Sequence, residues 1–467
     1  MTKLFLLGID GAPPQYVFGE WLKDLPNLKK LMQRGLYAKI ETTVPPSTCV
    51  AWTSLFSGKD PSQHGVYSYT IRDGFAYSAS RLVSSKDVRT EMIWEILSKN
   101  NLKSIVLNVP LIYPIEKQFP NCHLVSGFLA PDLDEKSIYP ISYLEEIKQK
   151  IPNYMFDVNV GLASYKTEGK DELIEKVYKM TKQNFDLVFD AIKNKQWNFI
   201  TCVLIGSDRL EHYFWSYIDK SHRYYKGDTK YKTVLIDYFK YIDTQLGKIL
   251  EILPDDVNII VSSDHGMDKM NCRFNMNDWL IKEGYLVLKQ KLTEPVKLKM
   301  SNIDWSKTRV FSVGAYFARL YFNLEGREPE GIVTLEEYDL LQKEISDKLK
   351  LIKDDNGNKM DNKIYLPQEI YHGEFAEESP DIMIYFDNLK CGVNNDVGNE
   401  GLYSWATTTG SDDAGHAPLG TFVMAGPATP NLGDIGQISI YDVTPTILSI
   451  FGINKSEDFR GRIINNG

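Results

Sequence analysis

Three aspartates and three histidines in this sequence have the residue types and positions expected of metal ligands. Asp10, Asp208 and Asp264 each follow closely on a short apolar run. Carboxylate oxygens and imidazole nitrogens are the usual protein ligands of zinc and similar divalent ions. An aspartate at the end of an apolar run is also a common turn residue, so each position alone has an ordinary explanation.

The histidines lie beside two of these aspartates or in a loop of their own. Asp264 and His265 are adjacent and precede a glycine, which suits one metal site or, more commonly, a plain polar turn. Asp208 and His212 are four residues apart, so a helix would place both on one face. A capping aspartate and an unrelated surface histidine fit that spacing equally well. His416 lies in a glycine-bounded loop, where a single histidine usually has no special role.

A threonine is the candidate nucleophile. Two tetrahedral metal sites need about eight ligands, some of them from water or substrate, so one further protein ligand is expected. Thr48 lies in the segment PPSTCVAWTS at 45–54, and SGKDPSQHG follows at 57–65. A threonine hydroxyl is a weak nucleophile at neutral pH, and coordination to a metal activates it. These residues together indicate metal-assisted attack by Thr48.

Short apolar runs that end in polar residues predict buried parallel strands, with helices between them. The strands are predicted at 4–9, 104–109, 199–205, 257–261 and 421–425, and the helices at 173–192 and 234–249. Alternating strands and helices indicate an α/β protein with a doubly wound, mostly parallel sheet. Ligands of such sheets bind at the carboxyl ends of the strands, where the three aspartates fall.

The segment 267–381 interrupts this alternation. It contains an aromatic run and a helical pattern near 335–349 but not the regular strand–helix rhythm. We interpret it as an inserted cap, with residues 1–266 and 382–467 forming the catalytic core.

Substrate contacts are predicted in the cap and near the nucleophile. The cap contains Arg309, Arg319 and Arg327, and a guanidinium suits phosphate contact, so we expect the cap to select the leaving group. Arg309 is the candidate contact, although a surface arginine is the commoner case. The rings of Trp52 and Tyr69 could stack on a base or pack against a sugar, or could simply fill the core.

Net charge, cysteine count and apolar runs restrict the possible binding partners and the cellular compartment of the protein. The net charge of −9, from 53 basic and 62 acidic residues, argues against a nucleic-acid binder. The five cysteines are odd in number and form no CxxC pair, so we expect no disulfide framework and a reducing compartment. The first apolar run is too short for a signal peptide, and no run approaches the roughly 20 residues of a membrane span. A cytoplasmic protein without membrane contact is predicted.

The motifs, taken in order, resemble the alkaline phosphatase superfamily, and within it the type I phosphodiesterase/nucleotide pyrophosphatase branch. They span nearly the whole chain, and their joint match is highly specific. The motifs are Gly8-Ile9-Asp10-Gly11, Thr48 ten residues before Gly58, Pro61-x-x-His64-Gly65, Gly206-x-Asp208-x-x-x-His212, Asp264-His265-Gly266, Gly415-His416 and Asp442-Val443-Thr444-Pro445. The middle of the chain looks like a subgroup of predicted phosphohydrolases or phosphomutases.

This resemblance implies an alkaline-phosphatase-like fold and two divalent metal ions, commonly zinc, with manganese as the alternative. One ion would be held by Asp208, His212 and His416, and the other by Asp10, Asp264, His265 and the Thr48 oxygen. It implies hydrolysis of a phosphodiester or pyrophosphate bond in a nucleotide-type small molecule, through a phospho-threonine. Alternatives of the same chemistry are a phosphomonoesterase, a phosphomutase and a phosphonate hydrolase. An inactive metal-binding protein is the alternative of another class.

Two departures bear on the substrate. The well-known nucleotide pyrophosphatases have an asparagine shortly after the His-Gly pair, whereas Val66-Tyr67-Ser68-Tyr69-Thr70 stands here. Sulfatases need Cys-x-Pro-x-Arg, and the segment from Cys49 to Thr53 lacks both the proline and the arginine. Sulfate esters are therefore not expected as substrates.

Overall fold

A nine-stranded, mostly parallel sheet is the centre of the fold. The computed structural model describes residues 2–72, 74–77, 81–158, 169–292, 294–405, 412–430, 432–454 and 459–464. The strands are β1 Lys3–Ile9, β2 Leu36–Glu41, β3 Ser104–Val109, β4 Cys122–Ser126, β5 Ile138–Tyr139, β6 Phe199–Leu204, β7 Val257–Ser262, β8 Leu419–Ala425 and β9 Gly433–Ser439. Their order across the sheet is β9-β2-β8-β7-β1-β6-β3-β4-β5. β8 is antiparallel to both neighbours and β5 to β4, while the other pairs are parallel.

Helices cover both faces of this sheet, and others lie outside it. In chain order the helices are α1 Pro26–Arg34, α2 Thr48–Ser57, α3 Pro61–His64, α4 Ile93–Lys99, α5 Ile141–Lys150, α6 Lys170–Asn194, α7 Gly206–Ile218, α8 Val234–Ile252, α9 Met276–Lys282, α10 Leu335–Lys350, α11 Pro367–Ile370 and α12 Val443–Ile450. Of these, α9 and α10 pack in a separate hydrophobic core rather than on the central sheet. Successive residues of β1 point to opposite faces. Phe5 and Leu7 join the core formed with α1, α6 and α8, and Leu4 and Leu6 join the core formed with α2, α4 and α12. The doubly wound α/β prediction is confirmed.

The predicted elements lie close to those observed. The strand at 104–109 has the predicted bounds, and the other four predicted strands differ from the observed ones by one or two residues at an end. Asp208 and His212 do lie on one helix, α7, which begins directly after β6. The periodicity was informative because these elements bury whole faces against the sheet.

A second layer of small sheets lies between β7 and β8 in the sequence. Its largest sheet has four strands, Val310–Gly314, Ala318–Phe322, Ile382–Tyr385 and Lys363–Tyr365, in the order 310–314, 318–322, 382–385, 363–365. Another sheet joins Cys272–Asn275 with Cys391–Asn394 and Tyr403–Ser404. Strand pairing carries this layer past the predicted cap boundary at 381 and through Ser404, and the division into a core and a cap stays a prediction.

The expectation of no disulfide is also wrong. Cys272 and Cys391 are directly opposite each other in parallel strands and are joined by a disulfide, with Cα atoms 4.6 Å apart. The cysteines therefore no longer support the predicted reducing, cytoplasmic compartment, because disulfides are rare in the cytosol. In the described part of the chain, no helix combines the length and apolar character that a bilayer span requires.

His64 connects the end of α3 to the nucleophile helix. Its ring is fully buried. Its Nδ1 accepts a hydrogen bond from the Val66 amide at 3.1 Å, so Nε2 carries the proton and donates to Ser54 Oγ at 2.9 Å. Burial lowers the pKa of His64 to about 3. The ring is thus a neutral structural group that connects α3 to α2.

We expect His64 to make the fold acid-sensitive. The unfolded chain takes up a proton on this residue below about pH 6.5, whereas the folded chain does not until about pH 3. The free energy of unfolding should therefore fall as pH decreases from 6.5, with a contribution of about 1.4 kcal/mol per pH unit from His64. Denaturant titrations between pH 7 and 5 should show a shallower slope in His64→Gln. An unchanged slope would contradict a buried, neutral His64.

Candidate metal centre

The predicted ligands meet at one edge of the central sheet. β7, β1 and β6 are adjacent parallel strands, so their carboxyl ends lie side by side. Asp10 directly follows β1, Asp264 follows β7, and Asp208 lies in the first turn of α7 after β6. All three carboxylates are buried, with exposures of 0–1 %. The order of the strands therefore brings three acidic side chains together in the interior.

Asp10, Asp264 and His265 form the first cluster. His265 Nε2 lies 3.5 Å from Asp10 Oδ1 and 3.2 Å from Asp264 Oδ2. His265 Nδ1 donates to the Gly266 carbonyl at 2.9 Å. This hydrogen bond leaves the lone pair of Nε2 directed at the two carboxylates, the arrangement that metal-binding histidines show.

Asp208, His212 and His416 form the second cluster. Both histidine Nε2 atoms approach Asp208 Oδ1, at 3.1 Å for His212 and 3.4 Å for His416. Their Nδ1 atoms donate to the carbonyls of Ala414 and Pro46, at 3.0 and 2.6 Å. The rings of His265 and His416 stack at 3.7 Å, so the two clusters are neighbours.

Both clusters fit a divalent cation. Asp10 Oδ1, Asp208 Oδ1 and Asp264 Oδ2 are buried and have no hydrogen-bond partner among the described residues. Each is the oxygen that faces a histidine Nε2. In each cluster the three potential ligand atoms lie within 4.8 Å of one another. A buried carboxylate oxygen without a partner is costly, and a cation would satisfy it. Nitrogen and oxygen donors in this ratio suit zinc or manganese.

The charges of the clusters also favour a cation. Burial, followed by repulsion from neighbouring carboxylates, raises the pKa of Asp10 well above its usual range, and burial likewise raises the pKa of Asp264. Burial lowers the pKa of His265 well below its usual range, so this imidazole is neutral and can act as a ligand. Among the described residues, no lysine or arginine forms an ion pair with Asp10 or Asp264, the acidic groups of the first cluster.

Thr48 begins helix α2 beside the first cluster. Its Oγ1 lies 3.3 Å from His265 Nε2, and the residue is 8 % exposed. The first amide groups of an α-helix have no partner within the helix and carry partial positive charge. The Thr48 hydroxyl is therefore next to both a cation site and a set of donors suited to phosphate oxygens. The neighbouring Cys49 is fully buried, and burial raises the pKa of its thiol, so it is not an alternative nucleophile.

Trp52 is not available as a substrate contact, and the contacts at Arg309 and Tyr69 stay predictions. Trp52 has no exposed surface, and its indole Nε1 donates to Asp10 Oδ2 at 2.8 Å, so it orients a carboxylate. Arg309 is six residues before the hairpin turn at 315–317 and faces Glu337 of α10 at 3.5 Å. Tyr69 is half-exposed, and a substrate contact there stays a prediction.

Three residues of the site were not predicted. The hydroxyl of Tyr316 lies 3.3 Å from His212 Nε2, and its ring stacks on His212 and His416 at 5.1 and 4.6 Å. Arg209 donates to Asp208 Oδ2 at 2.9 Å. Burial by itself would raise the pKa of Asp208, but His212 and Arg209 outweigh burial and hold this pKa well below its usual range. Both carboxylate oxygens of the buried Glu211 lack partners. Arg209 and Glu211 flank the predicted Asp208–His212 pair on the same helix, whereas no sequence pattern pointed to Tyr316.

The α/β fold carries two clusters of buried aspartates and histidines at the carboxyl edge of its central sheet, where ligands bind in folds of this class. A family model described as type I phosphodiesterase / nucleotide pyrophosphatase matches residues 4–401. The chain belongs to this family, as the motifs predicted.

Solved structures share this fold. Human ectonucleotide pyrophosphatase/phosphodiesterase 5 is 13 % identical, with a TM-score of 0.56 over 100 % of this chain and 97 % of that one. The murine protein is 14 % identical, with a TM-score of 0.54 over 97 % and 96 %. An inactive variant of the murine protein in complex with AMP gives 13 % identity and the same TM-score and coverage. A search of curated protein sequences found no significant match.

We expect Trp52→Phe to weaken metal binding by about 10- to 100-fold, the usual effect of losing a hydrogen bond to a ligand. The indole donates to Asp10, and phenylalanine keeps the ring but not the donor. Titration of the metal-free protein with zinc or manganese, followed by calorimetry, measures the affinity. Trp94→Phe is the matched control, because Trp94 belongs to the same core and is not at the clusters. Equal effects of the two substitutions would contradict an orienting role for Trp52.

Proposed function

We propose that this protein is a two-metal phosphohydrolase that cleaves phosphodiester or pyrophosphate bonds of a nucleotide-type small molecule, with Thr48 as the nucleophile. The observation that carries the proposal is the Thr48 hydroxyl, 3.3 Å from His265 at the start of α2 and beside two buried Asp/His clusters. Membership of the phosphodiesterase family supports the same chemistry.

The two clusters are the proposed metal sites. Asp208, His212 and His416 would hold one ion, and Asp10, Asp264, His265 and the Thr48 oxygen the other. Two divalent ions, zinc first and manganese as the alternative, would supply Lewis acidity that makes the hydroxyl a competent nucleophile and stabilises charge on the oxygens around phosphorus. The orphaned carboxylate oxygens and the neutral His265 support this assignment.

Thr48 then carries out a double displacement. Its Oγ1 attacks phosphorus, a phosphorus–oxygen bond to Thr48 forms, and the bond to the leaving oxygen breaks. Water next attacks the phospho-threonine from the opposite side, which restores the Thr48 hydroxyl and releases the phosphate product. Throughout, the free amides at the start of α2 are suited to the non-bridging oxygens. Hydrogen bonds to main-chain carbonyls keep the rings of His212 and His416 in place.

The substrate class is proposed from the family and from the groups around the site. The family name specifies nucleotide pyrophosphatases, and an inactive variant of a structural neighbour is in complex with AMP. Tyr316 provides a ring at the clusters, and the half-exposed Tyr69 is a further candidate for stacking on a base. The alternative of an inactive metal-binding protein is disfavoured, because such a protein has no use for Thr48.

We expect Thr48→Ala to reduce turnover of an aryl phosphodiester by roughly 10³-fold or more, the scale of removing a nucleophile. Metal content and thermal stability should stay close to those of the unchanged protein. Thr53→Ala is the matched control, because Thr53 is buried in the same helix and bonds only to the Cys49 carbonyl among the described residues. Residual activity of Thr48→Ala above a few per cent, in protein purified free of other phosphatases, would rule out Thr48 as the nucleophile.

We expect a preference for diesters over monoesters. A monoester dianion carries additional charge that usually requires a free guanidinium. In the described structure, Arg209 is bound to Asp157 and Asp208, and Arg273 to Asp412. Comparison of kcat/KM for an aryl phosphodiester and the matching aryl monoester on one metal-loaded preparation tests this. A higher value for the monoester would reject the preference but leave the metal sites unaffected.

A further inference from the structure

A cavity of about 600 Å³ lies in the second layer, beside the hairpin that carries Tyr316. Its wall includes four cationic side chains, Arg72, Lys297, Lys299 and Arg319, and aromatic rings that include Phe311 and Tyr321. None of the described residues that line the cavity is an aspartate or a glutamate. A cavity with this lining is suited to an anion attached to a ring.

Arg319 is the central feature of this cavity. The residue is 6 % exposed, its Nε has no hydrogen-bond partner, and no carboxylate among the described residues pairs with it. The other two cap arginines differ, since Arg309 faces Glu337 and Arg327 is bound to Asp381 and Glu328. An unpaired buried guanidinium is costly, and an anion in the cavity would remove the cost.

The groups around Arg319 leave the cavity positive. Arg72 lies over the Tyr321 ring at 4.8 Å and 3.7 Å from Glu328, a carboxylate that Arg327 also binds. Lys297 is exposed at the rim and lies opposite Asp396 in its strand pair. Among the described residues, no carboxylate therefore offsets the positive charge of Arg319. Arg72 packs on the Tyr321 ring, and this aromatic wall is one against which a substrate ring could lie.

The cavity is close to the proposed metal sites. Arg319 pairs with Val313 across the hairpin, and Tyr316 lies in the turn between them. Three residues span at most about 10 Å, so the Cα of Arg319 is within about 10 Å of the Cα of Tyr316, whose hydroxyl lies beside His212. Thr70 also lines the cavity and directly follows Tyr69. A small molecule could thus reach from the clusters into the cavity.

We propose that this cavity binds a second phosphate group of the substrate, on the side of the leaving group, with Arg319 as its main contact. The inference rests on the proposed function for the position of the first phosphate. Arg319 is then a specificity-determining residue, which selects substrates that carry a phosphorylated ring beyond the scissile bond. A guanidinium can give a phosphate two parallel hydrogen bonds, which a lysine cannot.

Calorimetry on the metal-loaded full chain tests the proposal with pairs of ligands that differ by one phosphate. The pairs are AMP with adenosine 3′,5′-bisphosphate, and fructose 6-phosphate with fructose 1,6-bisphosphate. In the unchanged protein, the second phosphate should improve the affinity of at least one pair by about tenfold or more. Arg319→Met should abolish that gain, and Arg319→Lys should retain part of it. Arg309→Met, a surface arginine of the same hairpin, is the matched control and should retain all of it.

Several outcomes would overturn the inference. These are the absence of a gain in both pairs, a gain that survives Arg319→Met, or an equal loss in Arg309→Met, which would indicate a long-range charge effect. Should Arg319→Met not fold, Arg319→Lys must still lower the gain for the inference to stand. Hydrolysis of an aryl phosphodiester is measured separately on the unchanged protein. Failure of that hydrolysis would reject the proposed function, whereas the calorimetry needs no turnover and tests the cavity by itself.

Discussion

The fold brings three buried carboxylates, Asp10, Asp208 and Asp264, to one edge of the central sheet, and much of the surrounding structure serves to keep them there. Like charges in a medium of low dielectric constant repel strongly, so such a cluster needs opposite charge and fixed donors. The Trp52 indole and the Gly11 amide each donate to one of these carboxylates. Gly8 is needed as well, because a Cβ there would lie 2.5 Å from the Trp52 ring. The packing of the core beneath the site therefore also holds these carboxylates in position.

The sequence alone was sufficient to predict the strands of the central sheet and the clustering of the aspartates and histidines at its edge. Buried parallel strands are continuous apolar runs, so the polar residue that ends each run marks the active edge of the sheet. The same reasoning failed for Trp52, because every residue of α2 is buried and an aromatic residue near a nucleophile has no pattern that separates core from surface. Tyr316 and the disulfide could not be predicted, because they depend on the hairpin turn and on a strand pair 119 residues apart in sequence.

The second layer meets the core at the ligands themselves. Tyr316 at the turn of one hairpin stacks on two histidines, and the strand Gly266–Lys269 after His265 pairs with Ala414–Ala417, which contains His416. Backbone pairing therefore fixes the distance between the two clusters. The outer strands of the same layer do not position any of the predicted ligands, so their side chains can differ without moving a ligand. This division explains how one core with its candidate metal ligands can be combined with different walls around the site.

The hydrogen bond from His416 to the Pro46 carbonyl joins residues 370 positions apart. It places the last ligand next to the loop that precedes Thr48, near the opposite end of the chain. On the ribosome, Asp10 and the nucleophile emerge first, and His416 follows only after the whole second layer has been synthesised. Contacts of such long range form late in folding. The nascent chain can hence bring Asp10, Asp264 and His265 together well before the other cluster, which must await the synthesis of His416.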